Sequence, residues 1–399
     1  MTVFNLPRDV RRILDRMKES GHRAHVVGGP VRDFLLGKTP HDYDITTDAR
    51  PERVKEIFSD MRTVDTGLKH GTVTLVLNGE NYEITTYRVD GEYKDSRHPE
   101  SVSFTSSLEE DLARRDFTMN AIAYSPEEGI IDPFGGEEDI RRGIICAVGD
   151  PRKRFSEDAL RILRGIRFSS VLGFFLEYET YLAATELAPQ LLSVSSERIY
   201  TEWHKLIGGA DAYRVLEENE SIIRVFLPEL ENMRLPSFEL FREGGALPRT
   251  LSLFHLTLGD GAPAAYKRAM TRLRTDARTR DLGTLALTCI GKFDTGTPTG
   301  INLMMADFGI EATSLTIEAE RILGIRDGSA IEALDRLIAA RAPYRTEDID
   351  INGNDLIALG YRGSAIGKQM RGLLLAVIRG ELKNDRAALL ASSSPGSDE

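Results

Sequence analysis

Asp42 and Asp44 lie two residues apart in the stretch Val26–Asp48, VVGGPVRDFLLGKTPHDYDITTD. In an extended segment residues i and i+2 face the same way, so their carboxylates would project side by side, with α-carbons roughly 6–7 Å apart. Such a pair suits hard, oxygen-seeking cations, and Mg2+ is usually held by one or two carboxylates together with substrate phosphates. Upstream, Gly28 and Gly29 open backbone N–H groups at a helix start, a ready seat for phosphate. Arg32, on the same short helix, can grip a phosphate at two points. Metal carboxylates, an open backbone and an arginine together point to phosphoryl or nucleotidyl transfer. A bare D-x-D is most often a pair of solvated loop acids; the ordered string of GG, R-D and D-x-D is the informative unit.

These residues need a scaffold. The apolar run Ala24, Val26, Val27 reads as a strand entering the glycine turn, Val31–Leu36 as a brief helix ended by Gly37, and the Asp42–Asp44 stretch as extended. Ahead of them Val10, Ile13, Leu14 and Met17 recur at helical spacing, closed by Gly21. Behind them Thr47, Asp48 and Pro51 signal a helix with Val54, Ile57 and Phe58 as its apolar face. The segment Thr66–Leu77 alternates, Asn78-Gly79 is a hairpin signal, and Tyr82–Arg88 is the return strand. Glu83 on that return strand is either a third catalytic carboxylate facing Asp42 and Asp44 or a surface ion-pair partner. Val89–Ser107 has no clear period and reads as a long loop.

Two later stretches carry chemistry. In LEEDLARRDFTMNAIA (Leu108–Ala123), read as the start of a helix, Arg114 and Arg115 point to different sides, one toward a triphosphate and the other packed or paired with Glu110. Asp116 could accept from a ribose hydroxyl, with Asn120 four residues on along the same face. In RKRFSEDALRILRGIRF (Arg152–Phe168), read as mostly helical, Glu157 and Arg161 are spaced i,i+4, and Asp158, Arg161, Arg164 and Arg167 repeat every three residues. As residues alone, both stretches also fit surface helices laced by salt bridges. A further helix, SSERIYTEWHKLI, spaces Arg198 to pair with Glu202, and Glu202 with Lys205.

In this order the strings resemble the signatures of the class II tRNA nucleotidyltransferases and bacterial poly(A) polymerases, of the polymerase-beta-like nucleotidyltransferase superfamily, and among them the CCA-adding enzymes. The resemblance runs from Val26 to Lys205 and returns in the tail at INGNDLIALGYRGSAIGKQMRGLLLAVIRGEL. It implies an α+β protein: a nucleotidyltransferase head with a small mixed sheet (1–147), an all-α neck with the base template (148–205), a helical body (206–340) and a helical tRNA-holding tail (341–399) with disordered last residues, Ser392–Glu399. It implies addition of CCA, or of its terminal A, to tRNA from CTP and ATP without a nucleic-acid template. Asp42, Asp44 and Glu83 would be the catalytic carboxylates, with Asp42 and Asp44 holding Mg2+ in a two-metal site. Gly29, Arg32, Arg115, Asp116, Asp158, Arg161, Arg164 and Arg167 would bind nucleotide, Asp158 and Arg161 reading the base. The D-P-F-G-G turn at Asp132–Gly136 and the helix after Ser196 would be structural.

Poly(A) polymerases share the head motifs, but this tail lacks a long basic extension. Relatives that add only CC lack a loop before the second motif, and Val89–Ser107 is present, which favours full CCA or A-only activity. A non-catalytic RNA-binding module is set aside by Asp42, Asp44, Arg32 and Asp116. Some relatives carry a His-Asp phosphohydrolase domain; only His255 remains downstream here, so no such metal site is expected.

Composition sets outer limits. The chain has 399 residues, 41% hydrophobic and 28% charged, as expected of a soluble globular protein of two to four units. No apolar run approaches 18 residues, so no membrane span is expected. Two cysteines, Cys146 and Cys289, fit a reducing cytoplasm rather than a disulfide framework. The net charge of −11 is a whole-chain average, and phosphate binding depends on where basic residues gather. From Arg152 to Arg167 there are six basic residues and two acids. Nothing in the sequence sets an oligomeric state.

Overall fold

The alternating and helical periods of the first third build one mixed sheet with helices on it. The computed structural model describes residues 4–40, 42–67, 71–91 and 102–393. The amphipathic helix α1 (Arg8–Glu19) buries Val10, Ile13, Leu14 and Met17 and leads to β1 (Ala24–Val27). A left-handed Gly28 then opens α2 (Gly29–Leu35), and the chain returns in β2 (Asp44–Thr47). Next come α3 (Pro51–Ile57), β3 (Arg62–Gly67), β4 (Thr72–Leu77) and β5 (Glu80–Thr86). Both turn residues between β4 and β5, Asn78 and Gly79, have positive φ, the geometry that makes Asn-Gly a hairpin signal.

The expected Val89–Ser107 loop is partly strand. β6 (Arg88–Asp90) pairs antiparallel with β7 (Val102–Phe104), and residues 92–101 between them lie outside the described residues. α4 (Leu108–Ala113) is capped by the Ser107 side chain, and β8 (Ala123–Ser125) and β9 (Gly129–Ile131) complete the main sheet. Its strand order is β3-β4-β5-β2-β1-β8-β9. β2 and β5 run parallel, and Asp44 is registered against Glu83.

The helix expected over Leu108–Ala123 stops at Ala113. The Asp116 carboxylate accepts from its neighbour Phe117 N, and Phe117 bridges to Ala147, so the chain turns extended before a 3-10 turn at Thr118–Asn120. Short polar side chains compete in this way with helical hydrogen bonds. After α5 (Gly136–Arg142) and β10 (Ile144–Ile145), Arg152–Phe168 is likewise two helices, α6 (Pro151–Glu157) and α7 (Leu160–Leu172), broken at Asp158 in an extended conformation. β11 (Phe175–Leu176) pairs with β10, followed by α8 (Tyr178–Leu187), α9 (Ser196–Ile207), α10 (Ala212–Glu218) and α11 (Glu220–Phe226).

The chain divides into two units, Met1–Phe226 and Leu227–Glu399. The described part of the second is built of helices. One of its cores joins Ile349, Ile351 and Leu356 to Met370, Leu373, Leu374 and Leu389, with Ile366 and Val377 partly buried against it, which uses the apolar stripe legible in the tail sequence. The expected disorder from Ser392 does not hold at Ser393, which is buried, donates to Leu389 O and accepts from the Tyr361 hydroxyl, and residues 394–399 lie outside the described residues. No described helix is long and apolar enough to cross a membrane.

Candidate active site

Asp44 opens β2 and Asp42 precedes it by one turn of extended chain. Both are exposed, and neither has an ion pair or hydrogen bond among the described residues. Partial burial in the protein's surface raises the Asp44 pKa, the charge of Arg115 opposes that, and Asp42 adds to it. Parallel pairing puts Glu83 on the same side of the sheet as Asp44; burial and then the Asp44 charge raise its pKa too. Glu83 has no ion pair among the described residues. Asp44 and Glu83 thus face the same side of two neighbouring interior strands with Asp42 just ahead of them, and Arg115 is the cation that acts on Asp44. No group of three His, Cys, Asp or Glu side chains among the described residues is arranged to hold an ion by itself. Two carboxylates with room for outside oxygens are the donor set expected for Mg2+ shared with a triphosphate.

The glycine turn ends beside these strands. Gly28 has φ +78°, and a Cβ there would stand 2.8 Å from Arg115 Nη1, so the residue that must be glycine is Gly28. At Gly29 a Cβ would meet nothing nearer than Arg32 Nη2 at 3.8 Å. Arg32 does not point freely outward. Its Nε and Nη2 donate to Asp33 Oδ1 at 3.0 and 2.7 Å, and its Nη1 donates to Asn120 Oδ1 at 2.8 Å.

Arg115 lies behind Gly28. Burial lowers its pKa, against Asp111 and Asp44, which raise it, and its Nε is buried without a hydrogen-bond partner. An orphaned buried donor of this kind is rare unless a ligand or water completes it. Arg114 pairs with Asp111 at 2.8 Å, not with Glu110 as its spacing suggested; Glu110 is taken by Thr105. Asp111, fully buried, also accepts from Thr46 Oγ1 on β2 at 3.1 Å, so one carboxylate ties the arginine pair to the strand that Asp44 opens.

Asp116 is held by four donors: Arg164 Nε and Nη2 on Oδ2 at 2.8 and 2.6 Å, and Phe117 N and Asn120 Nδ2 on Oδ1 at 2.9 and 3.1 Å. Burial alone would raise its pKa. The Arg164 charge and the hydrogen bonds from Asn120 and Arg164 outweigh that and hold it at about 2. Asp116, Arg164, Arg114, Arg115, Asp158, Arg161, Leu160 and Arg198 line one cavity of about 260 Å³.

The base-reading pair differs from its sequence reading. Asp158 and Arg161 do not share one helix face. Asp158 sits in the break between α6 and α7, where Oδ1 accepts from Leu160 N at 3.0 Å and Oδ2 from Arg198 Nη2 at 2.8 Å. Arg161 is buried and donates to Glu157 at 2.8 Å and to the backbone oxygens of Arg154 and Arg114, both at 3.0 Å. The Glu157–Arg161 spacing therefore forms its pair, whereas Arg198–Glu202 does not. Glu202 is taken by Arg167 at 2.9 Å. Arg167 stands outside the cavity lining. Sequence reasoning missed Asp111 and Arg198. Arg198 was visible only as one more charge at helical spacing, and its partner lies forty residues back.

Comparisons with known proteins place the chain in a family. The family model described as the poly(A) polymerase head domain matches residues 24–146, and that described as the probable RNA and SrmB-binding site of polymerase A matches 173–233. The CCA-adding enzyme of Geobacillus stearothermophilus is 39% identical over 390 residues, covering 95% of this chain and 94% of the relative. The crystal structure of the Bacillus stearothermophilus CCA-adding enzyme in complex with CTP superposes with a TM-score of 0.80 at 34% identity, covering 97% of this chain and 96% of that one. The Thermotoga maritima CCA-adding enzyme complexed with tRNA shares the fold, with a TM-score of 0.66 at 20% identity over 97% of this chain and 95% of that one.

Proposed function

The chain belongs to the CCA-adding enzymes, template-independent nucleotidyltransferases that act on tRNA with CTP and ATP, and we propose how its own residues divide that work. Asp42 and Asp44 would hold Mg2+, in the two-metal arrangement common to such transfers, with Glu83 beside them as a further acid or as base for the attacking hydroxyl. Carboxylates without an ion pair among the described residues, with Asp42 and burial raising the Asp44 pKa against Arg115, suit a divalent cation. When bound, Mg2+ supplies a lowered pKa at the RNA 3′-hydroxyl and charge neutralisation on the triphosphate.

In the reaction the tRNA 3′-oxygen bonds to the α-phosphorus, the α–β phosphoanhydride breaks, and pyrophosphate leaves. Gly29 and Arg32, whose guanidinium is held by Asp33 and Asn120, seat phosphates. Arg115, with its unmatched Nε, completes the phosphate grip. Asp116 receives the ribose, its carboxylate kept ionised and fixed by Arg164. Asp158 accepts the exocyclic amine that C and A share, and Arg161, fixed by Glu157, donates to the neighbouring ring nitrogen. Arg164 and Arg167 contact base or phosphate. A tRNA substrate goes with a cytoplasmic location and with the four-part organisation of head (1–147), neck (148–205), body (206–340) and tail (341–399).

The observation that carries this reading is the convergence of Arg115, Asp116, Asp158, Arg161 and Arg164 on one cavity. Its test is incubation with tRNA ending at the discriminator base, at CC and at CCA, with labelled CTP and ATP. Two cytidines and then one adenosine, added only with a divalent cation, are expected. Extension of the CC end alone would reduce the activity to A addition, and continued adenylation would make it a poly(A) polymerase.

A further inference from the structure

Phe168 lies in α7 and is 5% exposed. Three guanidinium groups surround its ring. Arg167 Cζ lies 3.6 Å from the ring centroid, Arg32 Cζ 5.2 Å and Arg164 Cζ 5.5 Å. Arg32 comes from α2 beside the glycine turn, and the other two from α7. Each also holds its own acid: Asp33, Asp116 and Glu202 respectively for Arg32, Arg164 and Arg167. Phe117 meets the Phe168 ring at 85°, centroids 6.0 Å apart, which fixes its tilt.

Three cations this close repel one another; Asn120 and Asp116 relate Arg32 to Arg164 at one remove, and Glu202 holds Arg167 separately. An aromatic ring presents negative charge on its face and attracts guanidinium groups, Arg especially, within about 6 Å of the centroid. A leucine would fill much of the same space without offering such a face. We propose that Phe168 is a positioning residue for nucleotide binding: its ring gathers the guanidinium groups of Arg32, Arg164 and Arg167 and sets the spacing of the cationic array that meets the nucleotide. The proposal rests on the reading of those arginines as nucleotide-binding. Phe168 then links Arg32 of α2 directly to both arginines of α7 through one side chain, beside the indirect route through Asn120 and Asp116 to Arg164.

Phe168 touches no reacting atom, so its loss acts on nucleotide affinity rather than turnover. The test is steady-state incorporation of CTP and ATP into tRNA lacking its terminal residues, with melting curves recorded alongside. Phe168→Leu is expected to raise KM for both nucleotides about tenfold with kcat within about threefold, and Phe168→Tyr to restore KM to within about twofold. Replacing Phe168 with mono-, di- and trifluorophenylalanine keeps the shape and weakens the ring's negative face stepwise, so KM should climb along the series even if Phe168→Leu does not fold. A flat KM along that series overturns the proposal and leaves Phe168 as packing. Arg32→Ala and Arg167→Ala separate the two layers. If both leave KM unchanged, the arginine reading fails with everything built on it. If they raise KM while the fluorinated series stays flat, only the role of Phe168 fails.

Discussion

Arg198 Nη2 lies 2.8 Å from Asp158 Oδ2, and this ion pair joins α9 to the break between α6 and α7. The carboxylate assigned to base recognition is therefore oriented before any nucleotide arrives, by a guanidinium on one oxygen and by Leu160 N on the other. Arg161, its expected neighbour, is oriented separately, through Glu157. Acceptor and donor reach the cavity from two independently braced supports rather than from one helix face.

That arrangement separates the two halves of base selection. Asp158→Ala should keep tRNA and triphosphate binding but admit UTP and GTP, whose edges carry a carbonyl where C and A carry an amine. An unpaired buried polar group costs roughly 1–3 kcal/mol, so discrimination should fall by about ten- to a hundredfold. Arg198→Ala, which leaves the carboxylate present but held on one side, should fall between wild type and Asp158→Ala. Single-nucleotide extension with each of the four triphosphates measures this, and unchanged selectivity in Asp158→Ala would remove it from the template.

Much of the head was legible because its signals are local. The period of α1, the Asn78-Gly79 turn and the extended stretches that carry Asp44 and Glu83 need only near neighbours, whereas the parallel pairing that sets Asp44 against Glu83 is a tertiary choice. The helix spans failed where a side chain displaced a backbone partner. Asp116 turned Leu108–Ala123 out of its helix, and Asp158 did the same to Arg152–Phe168. Periodicity has no term for such competition. Partner choice failed for a different reason: Glu202 has candidates at helical spacing on its own helix, yet it pairs with Arg167 across to α7. Only packing decides between them.

Asp42→Ala and Asp44→Ala should each abolish transfer while leaving tRNA binding nearly intact. The two carboxylates stand exposed and without partners among the described residues, so their loss removes a cation seat and little fold stability. A lost metal contact forfeits several kcal/mol of transition-state stabilisation, on the order of a 10³-fold drop in rate. Turnover near wild type at ordinary Mg2+ in either variant would overturn the assignment; melting temperature should not fall.

Gly28→Ala should damage nucleotide binding more than fold stability. Its φ of +78° costs a residue with a Cβ roughly 1–2 kcal/mol, and that Cβ would stand 2.8 Å from Arg115 Nη1, forcing the guanidinium away from Asp44. Gly21→Ala also puts a Cβ at positive φ, +83°, at the end of α1, but with nothing within 4 Å of it. Both should lower the melting temperature, while only Gly28→Ala should raise the KM for CTP and ATP. Equal KM values in the two variants would mean that Arg115 does not depend on the turn.

The Asp116–Arg164 pair should give the first unit an acid-sensitive share of its stability. The Asp116 pKa is about 2 in the fold against an ordinary value of 3.8, because Arg164 and the hydrogen bonds overcome burial. A depressed folded-state pKa contributes stability above the unfolded value and loses it as pH falls toward the folded one. The window is therefore from about pH 4 down to about pH 2, and the contribution above it is roughly 2 kcal/mol. Asp116→Asn should be less stable than wild type by about that amount at pH 7, with the difference shrinking through the window. In Arg164→Met burial is left unopposed by the guanidinium, so Asp116 should protonate at higher pH and the acid limb of stability should move upward. The chain's single tryptophan, Trp203, lies buried in α9 within this unit and reports its unfolding by fluorescence in denaturant. A pH-independent difference between wild type and Asp116→Asn would show that the carboxylate acts there through shape alone.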